Sequence, residues 1–177
     1  MTIKSGSLLI AHPIHSADSK LDAVVLVTEC HSNGIVGLRL NKPAEITMSA
    51  LMMQKRIQWT GQDQVYSSGN HTPGALILLH RNDWYSRTTM PVDEHWSVSS
   101  DEFMLEKLAQ DNYPSDYRIC LGITLLNTQN IQHDITSTRP KWLLLEDPDP
   151  ELINAPAGLQ WDMAVSQCSQ NLFDNYF

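Results

Sequence analysis

Short apolar runs punctuated by turn-forming residues dominate the chain, and their lengths predict strands more often than helices. Residues 7–11 (Ser-Leu-Leu-Ile-Ala) form one such run, closed by Pro13. Residues 24–30 and 35–40 form two more, rich in β-branched side chains, with His31-Ser32-Asn33-Gly34 between them. Asn-Gly between two such runs is the strongest short-range hairpin signal, because both residues accept positive φ at low cost. A Gly34→Val substitution is therefore expected to destabilise the fold. The second strand of the hairpin should end at Asn41-Lys42-Pro43, since proline biases the residue before it away from helix. Further strands are expected over 64–67, 76–80, 96–98, 117–126 and 141–146, with Gly122 interrupting the longest of them and residues 68–74 forming a loop.

Helical patterning is sparser. Thr47 is placed to cap a Met- and Leu-rich helix over 48–58. Ser99 or Ser100 is placed to cap another, running to about residue 110, with Asp101 and Glu102 in the first turn where the helix dipole favours acids. A short helix should begin at Asn127 or Thr128 and end before Arg139-Pro140. Between 158 and 170, Trp161, Ala164, Val165 and Cys168, continued by Leu172, share one helical face and should pack in the core. The early hairpin argues against a purely alternating βαβ plan, so the fold class is α+β. One domain spans 1–177, with a core of about 5–170 and a C-terminal tail over 171–177.

Composition permits a packed core: Leu, Ile, Val and Phe make up about a quarter of the 177 residues, above the roughly 20% below which chains stay disordered. No apolar run approaches the roughly 18 residues of a membrane helix. The opening residues lack the long apolar stretch and cleavage site of a signal peptide, so a cytoplasmic location is expected. The net charge of −8 is unevenly spread: residues 1–90 carry eight Lys and Arg against six acids, and residues 91–177 carry four against fourteen. With no basic run longer than Lys55-Arg56, direct nucleic-acid binding is disfavoured. The more basic first half would better receive a small anionic ligand. Three widely separated cysteines, Cys30, Cys120 and Cys168, imply neither a disulfide framework nor a four-cysteine zinc site.

Four segments carry candidate chemistry. His12-x-x-His15 with Asp18 offers metal-ligating groups, but Pro13 prevents a regular helical face, and exposed loop histidines are the simpler reading. Glu29 and His31, two apart at a strand end, should share a face, as a carboxylate-oriented base would. Ser67 to His71 could hold an anion on backbone N–H groups, yet it has no P-loop spacing and serves equally as a connection. The acids from Glu146 to Glu151 lack the glycine-centred calcium-loop pattern and, flanking proline at a strand-to-helix transition, fit the start of a helix better.

The chain resembles the AlgH/YqgE family of bacterial proteins over roughly residues 5–170. The resemblance rests first on Gly6-Ser7-Leu8-Leu9-Ile10-Ala11-x-Pro13. It rests most specifically on Val24 to His31, followed by Gly34-Ile35-Val36-Gly37-Leu38-Arg39-Leu40-Asn41-Lys42-Pro43. Leu79-His80, Leu121-Gly122, Ile131, Asp134-Ile135, Trp142 and Trp161 stand at similar positions. Ser68-Gly69-Asn70-His71 replaces the family's usual Gly-Gly-Pro turn. The resemblance implies a cytoplasmic α/β sandwich with a mixed, mostly antiparallel sheet, no established catalytic activity, and a regulatory role linked to transcription.

It also implies a shallow cleft where Asn41, Lys42 and Pro43 meet Ser68, Gly69, Asn70 and His71, with His80 nearby, contacting a protein or a small anionic ligand. No cofactor and no metal are expected. The alternative is an enzyme acting on a small anionic metabolite, with Glu29, His31, His71 or His80 as acid or base. It requires at least two of these groups to converge in a pocket.

Overall fold

The computed structural model describes residues 1–14 and 22–174, with side chains as far as Asn171. His15 and Asp18 of the candidate metal motif, and the last three residues of the tail, lie outside the described residues.

Strands β1 (Leu8–Ala11), β2 (Val24–Cys30) and β3 (Ile35–Arg39) form an antiparallel meander. The expected hairpin joins β2 to β3, with Cys30 opposite Ile35. Its four-residue loop closes through His31 N–H donating to the Gly34 carbonyl (2.8 Å). Neither Asn33 nor Gly34 has positive φ, and a Cβ on Gly34 would meet only the Leu126 carbonyl oxygen at 3.8 Å. The hairpin forms as expected, but the glycine requirement at 34 does not hold, because a four-residue loop turns without the left-handed pair that a two-residue turn needs.

Two strands were not anticipated. β4 (Pro43–Thr47) follows directly on the hairpin and pairs antiparallel with β5 (Gln64–Ser67). Pro43 is tolerated because it opens an edge strand. β6 (His71–Arg81) begins five residues earlier than the apolar run suggests, and its first part is a polar extension past a register shift between His71 and Leu76. The two-residue β7 (Met90–Pro91) is likewise too short to read from periodicity. β8 (Trp96–Ser99), β9 (Tyr117–Leu126) and β10 (Trp142–Leu145) stand where the apolar runs place them. The order across the sheet is β10-β1-β2-β3-β9-β6-β8-β7, antiparallel throughout, while β5 adds to β9 in parallel and carries β4.

Helix α1 (Met48–Gln54) has the expected Thr47 cap, whose hydroxyl accepts from Ala50 N–H, but it ends before residue 58. Arg56 sits at φ 58°, and Ile57 N–H returns to the Met52 carbonyl (3.0 Å). α2 (Glu102–Ala109) ends in the same way, with Asp111 at φ 59° and Asn112 N–H on the Lys107 carbonyl. Both are Schellman-type ends without the usual glycine, which is why α1 stops short of the expected residue 58, while α2 ends near residue 110 as expected. The N-cap of α2 is Asp101, not Ser99 or Ser100: its carboxylate accepts from Met104 N–H at 2.7 Å. α3 (Thr128–Ile135) is capped by Asn127, α4 (Pro150–Ile153) starts at the expected acid-and-proline segment with Asp149 as its cap, and α5 runs from Ala157 to Asp174.

Alternation along the strands feeds three cores. Leu8, Ile10, Val24 and Leu26 face α4 and α5, where they meet Leu152, Ile153, Ala164 and Cys168, with half-buried Trp161 and Val165 packed alongside. Leu9, Val25 and Val27 face Ile131 of α3. Val65, Leu78 and Ile119 pack on Met48 and Met52 of α1 and Met104, Leu105 and Leu108 of α2.

Strand β9 serves all three cores because Gly122 changes its phase. Before it, Tyr117 and Ile119 point to the α1–α2 side and Cys120 to the α4–α5 side; after it, Ile123 joins the α4–α5 side and Leu126 the α3 side. At this point β9 exchanges β5 for β3, while β6 stays paired with it as far as Ile123.

Candidate functional site

The structure brings the end of β3 and the start of β4 against the end of β5. Ser67 N–H donates to the Lys42 carbonyl (2.8 Å), and Arg39 N–H donates to the Ser68 carbonyl (3.1 Å). The side chains there are largely committed to the backbone. Asn41 accepts from Val24 N–H (3.1 Å) and donates to the Asp22 carbonyl. Ser68 is fully buried and donates to the Arg39 carbonyl at 2.8 Å. Gly69 lies against the backbone of Ile123 and Gly122. Lys42, Pro43, Asn70 and His71 are exposed. His80 is not on this surface: it is buried on β6, toward β8.

Glu29 and His31 share a face as expected, their side chains 3.2 Å apart. His80 sits apart from them, edge-on to Trp84, and bonds to Ser99 and the Arg81 carbonyl. His71 is exposed at the opposite end of β6. The acid and base groups of the enzyme alternative therefore do not gather in one pocket. No group of three or more potential metal ligands exists among the described residues.

A cleft of about 250 Å³ lies between the β2–β3 hairpin and the β6–β8 strands. Its apolar walls are Leu38, Ala75, Ile77, Met90, Val98 and Ile123. A bulge between Val27 and Glu29 lets the consecutive residues Thr28 and Glu29 both line it, as bulges do when they re-aim side chains. Thr88, Ser99 and Ser100 supply hydroxyls. The extended start of β6 places His71 opposite Ile123, one of the walls, so the polar turn flanks this cleft. A second depression, about 290 Å³, follows β10. Its acids, Glu146 and Asp147, pair with the Met1 ammonium (3.7 Å) and Lys4 (2.7 Å).

A polar chain runs behind the cleft. His80 Nδ1 lies 2.8 Å from the Arg81 carbonyl, which can only accept, so Nδ1 carries a proton. Burial pushes the His80 pKa down, against the raising effect of that bond, and favours the neutral ring. Nε2 then accepts from the Ser99 hydroxyl at 2.9 Å, and Ser99 accepts in turn from Thr89 at 2.7 Å. Nearby, burial would raise the Asp101 pKa. Hydrogen bonds from Ser86, Thr88 and Met104 outweigh it and hold the carboxyl at about 2, against an ordinary 3.8. The hydroxyl chain is not legible in the sequence: Ser86, Thr88, Thr89 and Ser99 carry no spacing motif and meet where the pairing of β7 with β8 brings the segment before β7 beside the end of β8.

Beneath the sheet, Arg118 is a buried cation with carbonyl partners: it donates to Leu40 O (2.6 Å), Ala155 O (2.7 Å) and Gln160 Oε1 (3.1 Å). It ties the end of the hairpin to the α4–α5 junction and opens onto no site.

Comparison with known proteins agrees with this architecture. The family model described as DUF179, AlgH-like, matches residues 8–172. A UPF0301 protein of Cereibacter sphaeroides strain KD131 is 30% identical over 158 residues, covering 82% of this chain and 85% of that protein. A UPF0301 protein of Vibrio cholerae is 25% identical over 172 residues, covering 92% and 90%. The solution structure of the AlgH protein from Pseudomonas aeruginosa superposes with a TM-score of 0.75 at 17% identity, covering 94% of this chain and 92% of that one. A protein from Corynebacterium diphtheriae superposes at 0.69 and 13% identity, covering 91% and 85%. The α+β fold with its curled, mostly antiparallel sheet is thus shared with these structures, and the chain belongs to the AlgH-like family.

Proposed function

We propose that the protein is a non-enzymatic regulatory module that works in the cytoplasm by binding a protein or a small ligand in the cleft between the hairpin and the β6–β8 strands. The supporting observation is the chemistry of that cleft. It is open and apolar-walled, the His80 behind it is fully occupied by Ser99 and the Arg81 carbonyl, and His80 does not converge with the Glu29–His31 pair or with His71. Pockets of this size and lining suit recognition of small apolar surfaces. A role in transcription would be exercised through such contacts rather than by reading DNA, because the chain carries −8 overall and lacks a basic run.

Met90, 47% exposed at the cleft wall, provides the test. Met90→Trp, which fills the cleft without adding charge, should leave the melting temperature within about 2 °C of wild type, as surface changes do, and should abolish retention of a cleft-bound partner or ligand. A hydrolytic or transfer activity lost in Ser99→Ala, with the fold retained, would replace this function with an enzymatic one.

A further inference from the structure

The direction of the hydrogen bonds around the cleft says what it can hold. We propose that its ligand is a small apolar molecule bearing an ammonium group, the ammonium lying toward Glu29; this rests on the cleft being the working surface.

Four hydroxyl residues line the cleft, and the hydrogen of each is directed into the protein. Thr28 donates to the Val36 carbonyl (3.1 Å), Thr88 to Asp101 Oδ2 (2.8 Å) and Ser100 to the Leu76 carbonyl (2.7 Å). Ser99 donates to His80 Nε2 (2.9 Å), since a neutral ring protonated on Nδ1 requires a donor there. These side chains therefore present oxygen lone pairs to the cleft and no free O–H. Among the described residues the only charged one lining the cleft is Glu29, whose side chain is 41% exposed and lies 3.2 Å from His31 Nε2. A carboxylate or phosphate entering this space would meet acceptors and a like charge, with no side-chain donor to replace its lost water, and so would pay an uncompensated desolvation cost. An ammonium supplies the donors that the lining lacks, while its apolar body fills the walls. The proposal departs from the anionic ligand expected from charge distribution along the sequence, because no Lys, Arg or His of the described residues lines the cleft.

The test compares phenethylamine with 3-phenylpropionate, similar in shape and opposite in charge, by amide chemical-shift titration of the full chain at pH 7.5. Phenethylamine should saturably shift Thr28, Glu29, Ser99 and Ser100, with a Kd about tenfold below that of 3-phenylpropionate. Glu29→Gln should reduce that preference to about threefold or less, with Ser99 and Ser100 still shifted. Equal or tighter binding of 3-phenylpropionate at the same residues would overturn the charge assignment and leave the cleft as a binding surface. Absence of saturable shifts with both probes would overturn the proposed ligand class, whereas the Met90→Trp comparison tests the binding module separately. An unchanged preference in Glu29→Gln would remove the carboxylate from the site.

Discussion

Two glycines meet where β9 changes partners, and their substitution gives the sharpest test of the architecture. Gly122 lies at φ +76°, and a Cβ there would overlap the Gly69 carbonyl oxygen and stand 3.3 Å from that of His71. Left-handed backbone costs an L-residue roughly 1–2 kcal/mol, and forcing atoms into packed structure adds typically 1–3 kcal/mol. Gly122→Ala should therefore lose about 2–5 kcal/mol. Gly69, at φ +159°, also lies where L-residues are rarely found, and its Cβ would overlap the Ile123 carbonyl group itself. Gly69→Ala should consequently be no milder than Gly122→Ala. Because the two positions press on the same backbone, the double variant should fall short of the sum of the singles.

Urea unfolding followed by circular dichroism measures all three, with Gly34→Ala as the control. That control should stay within about 0.5 kcal/mol of wild type, because nothing lies closer than 3.8 Å to the added atom. A Gly122→Ala loss below about 1 kcal/mol, or one equal to that of Gly34→Ala, would refute the crossing of β9 described here.

Stability should also fall in two steps as pH drops. His80 has a lowered pKa in the fold, so its contribution is complete above the unfolded value near 6.5 and declines below it; His80→Gln should remove this step from the titrated melting curve. Asp101, held at about 2, contributes above the unfolded value near 3.8 and loses that contribution between about pH 5 and 2, a step that Asp101→Asn should flatten. Burial pushes the Cys120 and Cys168 thiols up to about 11, so at pH 7.5 a thiol reagent should leave both unmodified until denaturant is added, as mass spectrometry would show. Arg118→Met should cost about 2–5 kcal/mol in urea unfolding, because three acceptors lose a charged donor; a loss under 1 kcal/mol would show that water replaces the guanidinium.

What could be read from the sequence was whatever short-range pattern controls. The apolar runs located β2, β3, β8, β9 and β10, and the stripe from Trp161 to Cys168 found the buried face of α5. The end of α1 was missed because Arg56, not glycine, adopts positive φ there, whereas α2 ends at the expected place near residue 110. β4 was missed because its pattern is half exposed and its partner β5 lies a helix away. The glycine that sequence convention emphasised, Gly34, has room for a side chain, while Gly69 and Gly122 are constrained by a contact 53 positions apart along the chain. No local signal reports such a contact.

The same limit explains why the chemistry moved. Asn41 and Ser68 looked like recognition groups because they are polar and flank turns, yet polar residues at the ends of strands are also those best placed to satisfy backbone groups where sheet pairing stops. Here that second use prevails: Asn41 closes onto Asp22 and Val24, and Ser68 onto Arg39. His80 looked like an acid or base, but its two nitrogens are bound to Arg81 and Ser99. Its influence on the cleft is indirect, in deciding which way the Ser99 hydrogen points. An exchange of His80 for a donor such as Gln could release that hydrogen, provided the amide N–H faced Ser99. The Ser99 hydroxyl would then be able to donate into the cleft, and the variant should bind 3-phenylpropionate more tightly than wild type does. If His80→Gln folds with its amide donating to Ser99 and the anion gains nothing, hydroxyl direction is not what governs selectivity at this surface.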